Sequence, residues 1–162
     1  VKGPNPDKVS YATQTTLSFD DTEIILNILK KRFKKIKGPT TNDICYATTN
    51  RQLAVKSMTR VCDSILVIGA NNSSNSKRLV EVAKMNGVKN SYLISSESDI
   101  NDFLKQFNST INPNIGLTSG ASAPETLVQL FINKLKKSYD VNLIEHEVIK
   151  EDISFNLPKS LR

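Results

Sequence analysis

The apolar run at residues 64–68 (Ser-Ile-Leu-Val-Ile) is the sequence feature that most restricts the fold. Four consecutive apolar residues in a strand put side chains on both faces, so both faces must be covered, as in the centre of a parallel sheet. Helix and strand patterns then alternate: a helix at 76–85, a strand at 91–94, a helix at 100–107, a strand at 115–118 and a helix at 123–137. This alternation predicts βαβ units and an α/β sandwich with a parallel sheet.

The chain before this run predicts a short strand and two helices. Residues 9–13 have a strand pattern, and Ser18 or Asp20 is a suitable N-cap for the helix that follows. That helix should end in the basic run at 30–37, and Gly38-Pro39 should stop it and mark a domain boundary, because proline lacks an N–H and disfavours helix in the residue before it. The expected apolar faces are Ile24, Ile25, Ile28, Leu29 and Phe33 in the first helix, and Leu53, Ala54, Met58 and Val61 in the second.

Composition limits the classes of partner. No apolar run approaches the roughly 18 residues needed to span a bilayer, and no signal-peptide pattern is present, so no membrane partner is predicted. The net charge of +6 is concentrated at 30–37 and 134–137, in the last turns of predicted helices, where cations normally face water. Aromatic residues make up only 6% of the chain and do not alternate with these clusters, so no nucleic-acid partner is predicted.

The two cysteines, Cys45 and Cys62, do not form a CxxC motif, and a reducing compartment is predicted. Cys45 lies in a polar loop that leads into a helix, a poor environment for a structural thiol, although a lone cysteine is often a small buried residue. Cys62 lies between a helix and the apolar strand, which favours a structural role. His146, the only histidine, lies between two glutamates and is predicted to be a surface residue.

Two loops rich in small polar residues, 69–76 and 120–125, each lie between a predicted strand and a predicted helix. Ligands of parallel sheets bind at the carboxyl ends of the strands, where unpaired N–H groups and the dipole of the next helix attract anions. Ser73, Ser74, Asn75 and Ser122 would add neutral hydrogen-bond donors. Neither loop has the GxxxxGK[ST] or GxGxxG motif, so the loops predict a compact phosphate or diphosphate ligand.

Helix capping is an alternative explanation for these residues. Residues 122–125 (Ser-Ala-Pro-Glu) match a capping box with proline in the first turn, which alone could account for Ser122. Ser74 or Ser76 could likewise be a plain N-cap. Thr15 and Thr16 could end a strand or donate hydrogen bonds into a site.

Four stretches taken together resemble a known family. They are residues 12–18 (Ala-Thr-Gln-Thr-Thr-Leu-Ser) with Asp-Asp-Thr at 20–22, residues 43–52 (Asp-Ile-Cys-Tyr-Ala-Thr-Thr-Asn-Arg-Gln), residues 72–76 with Arg-Leu at 78–79, and residues 118–125. In this order they resemble the C-terminal half of 4-hydroxy-3-methylbut-2-enyl diphosphate reductase, the last enzyme of the non-mevalonate (MEP) isoprenoid pathway. The tail at 153–162 is also similar to the end of that family.

The resemblance implies three similar α/β units in a trefoil-like arrangement around a central [4Fe-4S] cluster. Residues 1–39 would be the C-terminal part of the middle unit, 40–138 the third unit, and 139–162 a tail that packs back on the molecule. Cys45 matches the last of three cluster cysteines. Thr15 matches a threonine beside the hydroxyl end of the substrate, and Thr48 would line the same cavity. The residues that match the family's diphosphate ligands are Ser73, Ser74, Asn75 and Ser122.

The implied reaction is the reductive dehydroxylation of (E)-4-hydroxy-3-methylbut-2-enyl diphosphate, with two electrons and two protons, to isopentenyl and dimethylallyl diphosphate. The other two cluster cysteines, the diphosphate-binding histidines and the glutamate proton donor belong to the family's N-terminal half. The chain begins at Val1 without a Met, so we expect a fragment or processed product that is inactive alone.

Ferredoxin or flavodoxin is the implied electron donor, and the compartment is a bacterial cytoplasm or a plastid stroma. The Lys- and Asn-rich composition favours a parasite-type plastid. The alternative function is a non-catalytic phosphate- or diphosphate-binding α/β module.

Overall fold

The computed structural model describes residues 5, 7–40, 43–106, 113–150 and 157–158. Within these ranges no helix is both long and apolar enough to cross a bilayer. The elements are, in chain order, α1 (Phe19–Arg32), α2 (Tyr46–Met58), β1 (Ser64–Ile68), α3 (Ser74–Met85), β2 (Ser91–Ile94), α4 (Glu97–Gln106), β3 (Ile115–Ser119) and α5 (Glu125–Ser138).

The three strands form a parallel sheet in the order β2-β1-β3, with the apolar run at its centre. Ile65 is aligned with Ser91 of β2 and with Gly116 of β3. Since parallel neighbours in register end together, the loops after all three strands leave from one edge, which we call the carboxyl edge. The opposite edge, where the strands begin, is the amino edge.

Helices cover both faces of the sheet, as the apolar central strand predicts. The side chains of Ile65 and Val67 pack with α2 and α3, and those of Leu66 and Ile68 pack with α4 and α5; all four are 0% exposed. Burying each such side chain stabilises the fold by roughly 1.5–3 kcal/mol. The predicted α/β sandwich with a parallel sheet is therefore confirmed.

The region before α2 differs from prediction. Ser18 caps α1 by accepting a hydrogen bond from Asp21 N–H (3.2 Å), and α1 ends at Arg32, within the basic run as predicted but before it reaches Gly38-Pro39. Phe33, 8% exposed, is anchored by burial and turns the backbone to an extended conformation. Residues 9–13 form only a bridge between Ser10 and Lys37 instead of a strand. The predicted apolar face is largely exposed: Ile24 60%, Ile25 56% and Ile28 60%.

The buried face of α2 is only partly the predicted one. Met58 is buried as predicted, but Leu53 and Val61 are 39% and 61% exposed. The other buried residues are Thr48, Gln52 and Val55. Val55 and Met58 pack on α3 and β1, whereas Gln52 is buried against the backbone of residues 17 and 19, to which it is hydrogen-bonded. The buried face of α2 is therefore set partly by contact with this polar segment and not by apolar spacing alone.

Most other boundaries agree with prediction. β1 and β2 begin and end at the predicted residues, β3 ends one residue later, and α3 begins two residues earlier. α4 begins at Glu97 because Ser96 and Asp99 form a capping box, in which Ser96 N–H donates to Asp99 Oδ2 (3.0 Å) and Asp99 N–H donates to Ser96 Oγ (3.3 Å). The predicted end of α4 at Phe107 lies outside the described residues.

Residues 141–149 and 153–157 have strand-like patterns, which predict strands in the tail, but residues 139–150 contain no strand. Tyr139 and Val141 pack on the α4–α5 side of the core, and His146 Nε2 lies 3.0 Å from Ser57 Oγ on α2. Of the predicted strand at 153–157, only residue 157 is described.

Candidate functional site

The loops after β1 and β3 converge on one buried side chain, Ser76. A Cβ atom at Gly69 or at Gly120 would collide with Ser76 Oγ, so glycine is required at both positions for this approach. Ser76 is 1% exposed and lies in the first turn of α3. The two small-polar loops therefore lie together at the carboxyl edge, against the N-terminus of α3.

Ser73 is the N-cap of α3, whereas the sequence suggested Ser74 or Ser76. Ser73 Oγ accepts hydrogen bonds from Ser76 N–H (3.2 Å) and from Ser76 Oγ (3.0 Å). A hydroxyl has two acceptor positions and one donor, so the Ser73 O–H proton remains for an acceptor such as an anion. Ser74 follows as the first residue of α3 and is exposed.

Asn75 is the most unusual side chain of this turn. It is 7% exposed, and neither Nδ2 nor Oδ1 has a hydrogen-bond partner among the described residues. Buried polar atoms without partners cost roughly 1–3 kcal/mol each and usually have a functional or ligand-related explanation. At a helix N-terminus, where the dipole favours negative charge, an amide N–H₂ can donate to an anion.

Ser122 does not cap α5. The helix begins at Glu125 with Pro124 as its N-cap residue and no side-chain cap bond, so the predicted capping box is wrong. A turn closed by Ala123 N–H and Gly120 O (3.0 Å) places Ser122 before the helix, exposed, in the loop that contacts Ser76. Capping therefore does not account for the Ser122 hydroxyl.

Cys45 and Thr15 lie together. Cys45 is the N-cap residue of α2, is exposed, and its side chain makes no cap hydrogen bond, so it is not a small buried residue. Its backbone N–H donates to Thr15 O (3.2 Å), and Thr15 is itself exposed in a turn. Thr48, one turn further along α2, is 4% exposed and belongs to the buried face of the helix.

Cys62 lies at the other end of α2. It is partly buried, and its Sγ packs where a Cβ at Gly116 would come within 3.1 Å. Burial, helped by the nearby negative charge of Asp63, raises the pKa of the Cys62 thiol. The 13 residues of α2 span about 20 Å, so Cys45 and Cys62 cannot bind one metal centre.

The structure also shows contacts of residues to which the sequence analysis assigned no individual role. Arg78 of α3 lies 2.7 Å from Glu81 and 3.7 Å from Asp21 of α1, which ties α3 to α1. Gln52 and Asp43 hold the segment around Thr15 through hydrogen bonds over 30 or more positions in sequence, for which no local signal exists. Ser76 had a usable signal, because glycine follows each of the two strands beside it.

A cavity of about 380 Å³ lies beside α1 and is lined by residues that include Tyr11, Thr13, Phe19, Thr22 and Asp43. None of the predicted site residues lines it. We therefore place the candidate site at the carboxyl edge and at the start of α2 on chemical grounds.

Comparison with known proteins decides the family. The family model described as LytB protein matches residues 1–136. The chain belongs to the LytB protein family. It is 46% identical over 163 residues to the 4-hydroxy-3-methylbut-2-enyl diphosphate reductase of Ehrlichia ruminantium (strain Gardel), a match that covers 98% of the chain and 46% of the relative. It is 48% identical over 159 residues to the reductase of the same name from Methylococcus capsulatus, over 98% of the chain and 49% of the relative.

A solved LytB relative has the same fold. The E-1-hydroxy-2-methyl-but-2-enyl-4-diphosphate reductase from Plasmodium falciparum matches with a TM-score of 0.72 and 38% identity, over 83% of this chain and 42% of that protein. The chain spans about half the length of the curated relatives it matches.

The residues present fit the expected iron–sulfur cluster as a partial ligand set. Within the described part of this LytB chain, no group of three or more His, Cys, Asp or Glu residues could hold a metal ion. Cys45 has the required chemistry, because it is a cysteine with an exposed side chain that makes no cap hydrogen bond at the start of α2. Cysteine thiolates are the usual ligands of such clusters.

Proposed function

We propose that the protein containing this chain reduces (E)-4-hydroxy-3-methylbut-2-enyl diphosphate to isopentenyl and dimethylallyl diphosphate, the last step of the MEP pathway. This chain would supply one cluster cysteine and much of the diphosphate pocket. The observation that carries the proposal is Asn75, a buried amide without a partner at a helix N-terminus. The similarity to two bacterial 4-hydroxy-3-methylbut-2-enyl diphosphate reductases supports the same substrate class.

The diphosphate would bind at the start of α3. Ser73 Oγ accepts both of its bonds from Ser76, so its own O–H can donate to the diphosphate, and Asn75 contributes its Nδ2 hydrogens. Ser74 and Ser122 add exposed hydroxyls from the two loops that meet at Ser76. With the dipole of α3, these neutral donors would stabilise an anion at little desolvation cost.

Cys45 and Thr15 would lie at the reacting end of the substrate. When bound, the cluster would supply the two electrons for cleavage of the substrate C–O bond, with two protons taken up and the hydroxyl lost as water, and Cys45 would be one of its three thiolate ligands. The exposed Thr15 hydroxyl would orient the leaving hydroxyl or pass a proton to it. The hydrogen bond between Cys45 N–H and Thr15 O would keep these two residues adjacent.

The remaining parts would come from elsewhere in a longer protein. We expect two further cysteines, the diphosphate-binding histidines and the glutamate proton donor there, so that this chain alone is inactive. Residues 1–39 would complete the middle α/β unit, 40–138 would form the third unit, and 139–162 the tail of a trefoil-like molecule. Ferredoxin or flavodoxin would donate electrons, in a bacterial cytoplasm or a plastid stroma.

Anaerobic reconstitution of the full-length protein tests the proposal, with Cys45→Ser beside Cys62→Ser as the matched control. The wild type should bind about four irons per chain, as a [4Fe-4S] cluster requires, and turn over the allylic diphosphate. Cys45→Ser should lose most of its iron and at least about 1,000-fold of its turnover, because one of three thiolate ligands is gone. Cys62→Ser should retain both.

The outcome separates the reductase from the non-catalytic binding module. A wild type that binds no iron, but binds inorganic diphosphate equally well before and after the Cys45→Ser substitution, would sink the reductase proposal. It would leave a protein that senses or stores a phosphorylated ligand. Equal losses in Cys45→Ser and Cys62→Ser would show that the cysteines act only through stability.

A further inference from the structure

The irregular segment that carries Thr15 is bonded to α2 at several backbone positions. Cys45 N–H donates to Thr15 O at 3.2 Å. Further along α2, Gln52 Nε2 donates to Leu17 O (2.9 Å) and Gln52 Oε1 accepts from Phe19 N–H (3.1 Å). The segment is therefore held at residues on both sides of Ser18 and at Thr15 itself.

Asp43 holds the beginning of the same segment. Its Oδ2 accepts from Thr13 N–H (2.7 Å) and from Thr13 Oγ1 (3.2 Å). When the bonds from Cys45 and Gln52 are included, residues 13, 15, 17 and 19 are each hydrogen-bonded to a residue between 43 and 52. Residues 13–18 form no regular secondary structure, so these bonds fix their conformation.

Gln52 is the member of this set that only a tertiary role explains. It is 2% exposed and lies seven residues, or about two helical turns, beyond Cys45. A buried amide is costly unless its donor and acceptor are both bonded, and both ends of Gln52 are bonded to backbone groups of one segment. An apolar side chain at position 52 could be buried without the free-energy cost of desolvating an amide, so the two hydrogen bonds explain why glutamine is present.

We propose that Gln52 is a positioning residue, which sets the Thr15 hydroxyl in register with the Cys45 thiolate by clamping Leu17 and Phe19. This role rests on the proposed function, since it assigns Thr15 and Cys45 to one reaction. A displacement of about 1 Å at a reacting group can slow catalysis about 100-fold. Loss of the clamp therefore slows the chemical step, while the diphosphate donors on α3 keep their geometry.

The test compares Gln52→Met with Lys56→Met in the anaerobically loaded full-length protein. Methionine has a similar length and removes both hydrogen bonds. Lys56 pairs with Asp20, so Lys56→Met breaks another link between α2 and α1 without removing a bond to residues 13–19. The measurements are iron per chain, kcat and KM for the allylic diphosphate, and amide hydrogen exchange of the peptide covering residues 13–19.

Gln52→Met should bind as much iron as wild type, keep KM within about 2-fold, and lose about 10- to 100-fold in kcat. Exchange at residues 13–19 should accelerate at least about 10-fold, while exchange in β1 and β3 stays unchanged. Lys56→Met should match wild type in all of these. Faster exchange with an unchanged kcat would overturn the proposal, as would a kcat loss that only follows lost iron.

Asp43→Ala is a second variant in case Gln52→Met does not fold. It releases the Thr13 end of the segment and should show the same pattern, with kcat reduced by about 3- to 10-fold and KM nearly unchanged. An unaltered kcat in this variant also counts against the clamp. A wild type without iron or turnover would overturn the proposed function itself, which distinguishes that failure from a failure of Gln52 alone.

Discussion

Two buried polar side chains lie at opposite edges of the sheet. Ser91, the first residue of β2, lies at the amino edge, and Asn75, in the first turn of α3, lies at the carboxyl edge. Both side chains are almost fully buried, at 1% and 7% exposure. Ser91 Oγ donates to Val88 O at 2.6 Å, whereas neither amide atom of Asn75 has a partner among the described residues. Equal burial thus comes with opposite hydrogen bonding at the two edges.

Other polar groups extend this contrast. At the amino edge Asp63 and Asn114 pair twice, because Asp63 N–H donates to Asn114 O and Asn114 N–H donates to Asp63 Oδ2, both at 2.8 Å. At the carboxyl edge Asp99 closes the loop after β2, and Ser95 Oγ of that loop accepts from Asn71 Nδ2 of the β1 loop (2.9 Å), while the amide of Asn75 has no partner among the described residues. Unpaired donors are concentrated where parallel sheets bind their ligands, which supports a site built for an anion.

The largest effect is expected from removing the unpaired amide of Asn75. Asn75→Ala should weaken binding of inorganic diphosphate to the full-length protein about 10- to 100-fold, because a bond to a charged group contributes roughly 1.5–3 kcal/mol. It should not lower the free energy of unfolding, because no internal bond is lost. Isothermal titration calorimetry and urea unfolding measure the two quantities.

Ser91→Ala is the matched opposite, and Asn86→Ala at the far end of α3 is the control. Ser91→Ala leaves Val88 O without its donor and should cost roughly 1–3 kcal/mol of stability while diphosphate binding is unchanged. Asn86 Nδ2 donates to Val82 O, so Asn86→Ala should also spare binding. If Asn75→Ala destabilises the protein as Ser91→Ala does and binds diphosphate normally, Asn75 is a structural residue.

The two glycines of β3 and its loop sharpen the same comparison. Gly120→Ala forces a Cβ onto Ser76 Oγ and should cost about 1–3 kcal/mol of stability and weaken diphosphate binding, because Ser76 also holds Ser73. Gly116→Ala at the amino edge meets Cys62 Sγ at 3.1 Å, Ile65 Cγ1 at 3.2 Å and Met58 Sδ at 3.3 Å. The sulfur-containing side chains can shift, but Ile65 is fully buried in the central strand, so we expect a cost of about 1–2 kcal/mol with diphosphate binding unchanged. Binding that is equally impaired in both variants would contradict the local role of Ser76.

The sheet was predictable because its signals are local. Apolar residues at 65–68 require cover on both faces, and β1 and β2 begin and end where the pattern predicts. The first helix was predictable in its start at Ser18 but not in its burial. Ile24, Ile25 and Ile28 have helical spacing, yet spacing cannot say which surface lies against them.

The candidate site was predictable in its loops and not in its hydrogen bonds. Strand, small-polar loop and helix in succession predict an anion site at residues 73–75 whatever the distant contacts are. Three features depend on tertiary packing: the choice of Ser73 as the cap of α3, the absence of a cap bond from Ser122 to α5, and the burial of Gln52. Gln52 meets its partners 33 and 35 positions away in sequence, beyond the reach of any local pattern.

The smallest expected effect concerns the loop after β2, which Asp99 closes. Hydrogen bonds from the Ser95 hydroxyl, and then from the Ser95 and Ser96 N–H groups, lower the pKa of Asp99. A lowered folded-state pKa stabilises the fold above the ordinary Asp value of about 4, and this contribution is lost as pH falls through the folded pKa. Asp99→Asn should therefore cost about 0.5–1 kcal/mol at pH 7, as for a weakened helix cap, and progressively less below about pH 4.

Urea unfolding of variant and wild type at pH 7, 5 and 3.5 measures this difference, with Asp102→Asn as the control. Among the described residues Asp102 forms only an exposed pair with Lys105 on the same helix, so its replacement should change stability by less than about 0.5 kcal/mol at every pH. Diphosphate binding should be unchanged in both variants, because Asp99 bonds to Ser95 and Ser96, and the bond that Ser95 Oγ accepts from Asn71 Nδ2 of the β1 loop does not involve Ser73 or Asn75. A stability difference for Asp99→Asn that does not shrink at pH 3.5 would exclude the carboxylate charge as its cause, and weakened diphosphate binding would place the β2 loop in the ligand site with those of β1 and β3.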